Sequence, residues 1–122
     1  MQKRVLHFPL KKKWYKMIES GEKPEEYREI THYWAKRILK DYPIDWRFRM
    51  SMCIEAGKFD MFYGKTFGGW DAAHLTLGYP PKDDASRNMV KEIKEIVIGK
   101  GNPAWGAKEG KDYFVIRFKQ TK

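Results

Sequence analysis

Cysteine is almost absent from this sequence, since Cys53 is the only one among 122 residues. A single cysteine excludes a disulfide within the chain and a zinc site built from several cysteines. It also lacks the local signature of a catalytic thiol, which favours a passive side chain. The three histidines, His7, His32 and His74, are scattered without the spacing of metal ligands. We therefore predict structural roles for them, with no bound metal and no other cofactor.

Long hydrophobic runs are missing as well. Runs such as the three residues at 96–98, and even the four at 113–116, are far too short to cross a bilayer. No N-terminal segment combines a basic region, an apolar stretch and a small-residue cleavage site. We therefore expect no membrane association and a reducing, cytoplasmic setting. There is also no internal repeat, linker or low-complexity tract, so one domain over residues 1–122 is the simplest organisation.

Acidic residues are too few to balance the basic ones. Lysine and arginine number 25 against 16 aspartates and glutamates, which gives a formal net charge of +9. Such an excess favours polyanionic partners, of which nucleic acid is the commonest, although many small basic domains have no such role. Hydrophobic residues at 42% and aromatic residues at 16% exclude a disordered chain. Charge and aromatic content together favour contact with nucleic acid or nucleotides.

The order of hydrophobic patterns predicts an α+β fold, in which a small mixed β-sheet or barrel of about five strands has two helices near the N-terminus. Alternating residues predict strands at 5–10, 73–79 and 113–120, and a further strand is expected at 25–30 after the first helix. The charges at 89–99 would suit a helix, but its β-branched residues predict a long or bent strand. An apolar stripe of Leu10, Trp14, Met17 and Ile18 predicts the first helix. Thr31 is placed to cap the second helix, which carries Trp34 and Ile38 on one side and ends before Pro43.

Residues 44–71 are the least regular part of the chain. The stretch "WRFRM" at 46–50 alternates like a strand, and a glycine-rich turn follows at 64–69. Aromatic and methionine side chains are interleaved with arginine and lysine throughout. One interpretation is an inserted hairpin or helix packed over the core, and another is a mobile flap. In a third hypothesis, the chain is an interaction module that binds a protein partner through this divergent or inserted segment.

A charged stretch, "SGEKPEEYREI" at 20–30, falls where the first helix gives way to a strand. Gly21 is placed to end the helix with a positive φ. In the strand, Glu26 and Arg28 lie on one side, which Lys23 reaches from the preceding turn. Such a group holds the glutamate ionised and leaves two cations for an anionic ligand. The alternative is a solvent-exposed ladder of salt bridges.

The spacing Gly21-x-Lys23-x-x-Glu26-x-Arg28 resembles the G-x-K-x-x-E-x-R signature of the ASCH domain family. The stretch at 10–38 resembles the start of a phage and bacterial ASCH subgroup, and "GNPAWG" at 101–106 with "YFVI" at 113–116 resembles its end. The resemblance covers residues 3–42 and 74–120. It implies a PUA-like β-barrel that binds RNA, a nucleotide or a nucleoside in a cleft beside the signature.

The resemblance also raises a hydrolase alternative. Some ASCH proteins are reported ribonucleases, and one branch hydrolyses the amide of N4-acetylcytidine with a lysine, a threonine three residues later and a distant glutamate. Lys23 matches that lysine, whereas Glu26 occupies the threonine position. This departure favours binding over hydrolysis. If the chain is a hydrolase, Lys23 and Glu26 are the catalytic candidates.

Three further candidates for ligand binding lie outside the signature. Trp105 stands in a polar loop and Tyr79 precedes two prolines, so either ring is placed to stack on an exposed base. Packing at the core or its rim is the alternative for each ring. Lys13, with its neighbours Lys11 and Lys12, is a candidate for phosphate contacts beside the cleft, although a solvated helix surface is the commoner role of such lysines.

Overall fold

The computed structural model describes residues 4–39, 44–56, 70–80 and 84–120. Within these ranges the chain forms five strands and three α-helices, which are β1 (Val5–Leu10), α1 (Lys12–Ser20), β2 (Glu25–Glu29), α2 (His32–Ile38), α3 (Trp46–Ala56), β3 (Ala72–Leu77), β4 (Asn88–Lys100) and β5 (Asp112–Phe118). The predicted α+β class, with about five strands and two N-terminal helices, is confirmed. None of the described helices has the length and apolar character needed to cross a membrane.

The five strands form one curled sheet, a half-barrel, in the order β1-β3-β4-β5-β2. β1 pairs with β3 in parallel, and the other neighbours are antiparallel. The pairing of β4 with β5 shifts register between Ile93 and Glu95, which bends β4. The first part of β4 therefore pairs with β3 and its second part with β5. β1 and β2 are therefore the two edge strands, and we call the open side between them the seam.

The main core lies between the sheet and the helices. Successive side chains of a strand face opposite sides, so alternate residues are buried here: Leu6, Phe8, Leu10, Leu75, Ile96, Ile98, Phe114, Ile116 and Phe118. The helices add Tyr15, Ile18, Ala35, Ile38, Trp46 and Met50. On the other face of β2 and β5, a smaller cluster joins Tyr27, Tyr113, Val115 and Ala107. The strand β2 thus packs on both faces, which explains its mixed sequence.

The strand-like alternation at 46–50 is misleading, because this stretch begins helix α3. Trp46 and Met50 are buried, and their spacing of four residues places them on one side of the helix. Phe48 lies on the other side and is 66% exposed. The interpretation as a helix packed over the core is therefore confirmed for α3, whereas residues 57–69 lie outside the described ranges. The second helix ends at Ile38, earlier than predicted.

The two methionines of α3 test the helical assignment. Met50 is 2% exposed and Met52 is 42% exposed. We expect Met50→Ala to lower the free energy of unfolding by about 2 to 5 kcal/mol, because it opens a cavity in the core. Met52→Ala should change it by less than about 0.5 kcal/mol. Urea unfolding followed by circular dichroism measures both, and equal losses would contradict the helix, since residues two apart share a face only in a strand.

Candidate functional site

The turn between α1 and β2 positions the charged signature. Gly21 follows the helix with φ 88°, in the left-handed region that glycine adopts without strain, and its N–H donates to the Ile18 carbonyl at 3.1 Å. The Lys23 N–H then donates to the Met17 carbonyl at 2.9 Å. This arrangement reverses the chain at the helix end. The Lys23 side chain is directed into the protein, where it is 1% exposed.

Glu26 joins the charged residues of the signature into one cluster. Its Oε1 lies 2.5 Å from Lys23 Nζ, and its Oε2 lies 3.2 Å from Arg28 Nη2. Oε1 also accepts a hydrogen bond from the Tyr27 N–H at 3.0 Å. Lys23 and Glu26 are the two charged residues buried among the described ones, at 2% and 3% exposure. Buried charges persist when they are paired and hydrogen-bonded, as these are, so the cluster is a built feature rather than a surface salt-bridge ladder.

Aromatic rings complete the surroundings of Lys23. Its Nζ lies 4.9 Å from the centre of the Trp14 ring and 5.6 Å from that of Tyr27. Both distances are in the range of cation–π attraction. The ammonium group is thus satisfied by Glu26 and by two rings. The charge of Lys23 is therefore already engaged within the protein, where it fixes the position of Glu26.

Arg28 bridges the seam between the edge strands. From β2, its guanidinium group lies 5.1 Å from the Phe8 ring and 5.0 Å from the Trp34 ring, and Nη2 donates to the Pro9 carbonyl of β1 at 3.0 Å. Its Nε is buried and has no hydrogen-bond partner in the described part of the chain. Burial lowers the pKa of Arg28, while the Glu26 carboxylate acts in the opposite direction.

A cleft of about 620 Å³ opens over this cluster. Its volume is typical of small-molecule sites. The aromatic side chains that line it come from α1, α2, β2, the 3₁₀ turn at Pro103–Trp105 and β5, and they are Trp14, Tyr27, Tyr33, Trp34, Trp105 and Tyr113. Lys11 and Lys108 supply cations at the rim, whereas Glu29 is paired outward with Lys111 at 3.3 Å. The cleft therefore combines flat apolar surfaces with a net positive charge.

The structure brings together four of the residues singled out from the sequence. Lys23, Glu26, Arg28 and Trp105 all line the cleft. Two others are not among its lining residues, namely Tyr79, which is 90% exposed, and Lys13, whose Nζ lies 4.8 Å from the centre of the Trp14 ring.

Lys11 contributes to the cleft where Lys13 does not. Lys11 precedes α1 with an extended backbone, whereas Lys13 lies within the helix, so their side chains leave the chain in different directions.

Sequence reasoning missed part of the aromatic lining. Trp14 and Trp34 belong to the apolar stripes of their helices, and that pattern predicts core positions. Both are only partly buried, because the stripes extend from the core into the cleft. Tyr33 and Lys108 carry no local signal at all. No local pattern predicts the close approach of the 3₁₀ turn to α1. Gly106 allows this approach, because it has φ +100° and lacks the Cβ that would stand 3.0 Å from the Trp14 ring.

No protein-family model, curated protein or solved structure matches this chain. The cleft itself is therefore the feature that indicates a function. Its two distinguishing properties are the buried charge cluster and the aromatic lining.

Two glutamates of β2 test the contribution of the cluster to stability. Glu26→Gln leaves the buried Lys23 and Arg28 without their anion, so we expect the free energy of unfolding to fall by about 3 to 5 kcal/mol. Glu29→Gln is the matched control, because Glu29 is also ion-paired but 57% exposed, and its loss should cost less than about 1 kcal/mol. Chemical denaturation measures both variants. Similar small losses would show that the cluster is solvated.

Proposed function

We propose that this chain is an ASCH-type, PUA-like domain that binds RNA or a nucleotide in the cleft beside the signature turn. The observation that carries the proposal is the Lys23–Glu26–Arg28 cluster, buried beneath an aromatic cleft with cations at its rim. A nucleotide combines a flat ring, polar base edges and a negatively charged phosphate. Each of these three parts finds a matching group in the cleft.

The aromatic lining supports base stacking. Trp105 is half-buried at the edge of a 3₁₀ turn and lines the cleft together with Trp14 and Trp34. Stacking a base on such a ring contributes about 1 to 3 kcal/mol and tolerates any base.

Glu26 supports recognition of a base edge. An ionised carboxylate has about four acceptor positions, and the contacts with Lys23, Arg28 and the Tyr27 N–H account for three of them. One acceptor position on Glu26 thus remains without a partner among the described residues, and an amino group on a base edge fits it. Arg28 is placed beside it as a donor.

The charge distribution supports a phosphate at the rim. Lys23, Glu26 and Arg28 together carry one net positive charge, and Lys11 and Lys108 add two more. The excess of +9 over the whole chain strengthens attraction to a polyanion. Rim lysines fix the position of a backbone and carry no sequence information. We therefore expect affinity for single strands with limited sequence preference.

Titration of fluorescein-labelled single-stranded RNA, followed by anisotropy at two salt concentrations, tests the proposal. Trp105→Ala should raise the dissociation constant by about 5- to 150-fold, which corresponds to the loss of one stacked base. Phe48→Ala removes an exposed aromatic ring on α3 and should change nothing. Lys108→Gln should weaken binding and reduce its salt dependence, whereas Lys36→Gln, on the exposed side of α2, should do so much less. Salt-insensitive binding that is unchanged in Trp105→Ala and Lys108→Gln would refute the proposal.

A hydrolase is the second candidate function, acting on RNA or on an N4-acetylcytidine-type nucleoside. The observation that favours it is the 2.5 Å contact between Lys23 Nζ and Glu26 Oε1 inside a cleft, because an amine and a carboxylate in hydrogen-bond reach are suited to proton transfer. Glu26 would act as general base, and Lys23 as an activated amine or as an electrostatic stabiliser.

Incubation with RNA, single-stranded DNA and acetylated cytidine, with and without divalent metal, separates the two candidates. Hydrolysis predicts turnover that falls by about 10² to 10⁴ in Glu26→Gln and persists in Glu29→Gln. Circular dichroism at the assay temperature verifies that both variants are folded. If the turnover of the unchanged protein is no higher than that of Glu26→Gln, the hydrolase candidate is refuted and binding remains as the proposed function.

A further inference from the structure

Two histidines that are distant in sequence meet on the sheet. His7 of β1 and His74 of β3 are register partners in the parallel pair, and their Nδ1 atoms lie 3.0 Å apart. The other ring nitrogen of His74, Nε2, lies 2.8 Å from Asn88 Oδ1 on β4. The pair lies outside the cleft lining and has no part in the proposed function. It is accessible from solvent, because His7 is exposed and His74 is only partly buried.

The hydrogen bonds around Asn88 determine which nitrogen of His74 carries the proton. Asn88 Nδ2 donates to the Asp84 carbonyl at 2.7 Å, so its Oδ1 faces His74 and accepts from Nε2–H. The neutral His74 ring therefore has its lone pair on Nδ1, directed towards His7. A ring N–H donated to an oxygen, with the opposite nitrogen left to ligate, is the arrangement that metal-binding histidines have.

The distances between the two rings match those of ligands on one ion. Two nitrogens bonded at about 2.0 Å to the same ion stand about 2.8 Å apart at square-planar angles and about 3.3 Å apart at tetrahedral angles. The observed 3.0 Å lies between these values.

The ring centres are 4.8 Å apart. Two imidazoles directed at one ion from that nitrogen separation place their centres about 4.7 Å apart, whereas a linear N–H···N hydrogen bond places them about 5.3 Å apart. The two rings are thus inclined towards a common point.

We propose that His7 and His74 form a site for a late first-row divalent ion, with Cu(II) and Ni(II) bound more tightly than Zn(II). Near-right-angle nitrogen geometry favours the first two ions, and Cu(II) also binds nitrogen ligands most strongly of the series. The described ranges contain no group of three or more histidine, cysteine, aspartate or glutamate side chains arranged to hold a metal, so His7 and His74 are the two ligands that these ranges supply. Ligation through both Nδ1 atoms displaces the proton that lies between the two rings.

Isothermal titration of the untagged full-length chain with Ni(II) and with Cu(II) tests the site. We expect one ion per chain, with affinity reduced at least about tenfold in His7→Asn and in His74→Asn. Asn88→Ala should reduce it by about tenfold or more, because it frees the orientation of His74. His32→Asn is the control and should bind as the unchanged protein does, since His32 lies on α2 and is exposed. Absence of saturable binding, or equal affinity in all four variants, overturns the proposal.

A second measurement needs no variant. Electron paramagnetic resonance of the Cu(II) complex should show hyperfine coupling to two imidazole nitrogens, and Ni(II) should shift or broaden the ring resonances of His7 and His74 but not of His32. Coupling to a single nitrogen, or equal effects on all three histidines, refutes a shared site.

Discussion

The carboxylate of Glu26 is the group on which the site depends. It neutralises Lys23, which is buried at the turn after α1, and Arg28, which reaches from β2 to β1. Without this anion, two positive charges would stand close together in a poorly hydrated environment, and neither would keep its position. One side chain thus holds a helix end and both edge strands in a fixed relation. The aromatic side chains of the cleft are arranged around Glu26.

The position of the cleft follows from the open edge of the half-barrel. In the described part of the chain, β1 and β2 each have an edge with no neighbouring strand to pair with, and an edge of this kind must be covered or bridged. Arg28 provides the bridge by donating to Pro9 while its guanidinium lies between Phe8 and Trp34. Because a single side chain joins β1 to β2, a gap remains between them that directly paired strands would have closed. That gap, lined by the rings of α1 and α2, is the cleft.

Local sequence patterns predict the helix caps and the faces of the strands, because both depend on residues that are close together in the chain. Thr31 was predicted as a helix cap, and its Oγ1 accepts from the Trp34 N–H at 3.4 Å. The signature residues were placed on one side by the period of a strand. The half-exposure of Trp14 depends on the turn that carries Gly106, far along the chain, so no local pattern reports it. The contact between His7 and His74 likewise arises only from the parallel register of β1 and β3.

The buried cluster is more easily explained by a ligand than by stability. A buried ion pair contributes little net stability, because the cost of removing charges from water offsets their attraction, and apolar residues of similar volume often serve equally well. Among the described residues, Glu26 keeps one acceptor position and Arg28 Nε has no hydrogen-bond partner, so these residues leave part of the cluster's polar capacity unused. Their residual capacity lies beside a cleft of about 620 Å³. We infer that the charges are retained to recognise what enters that cleft.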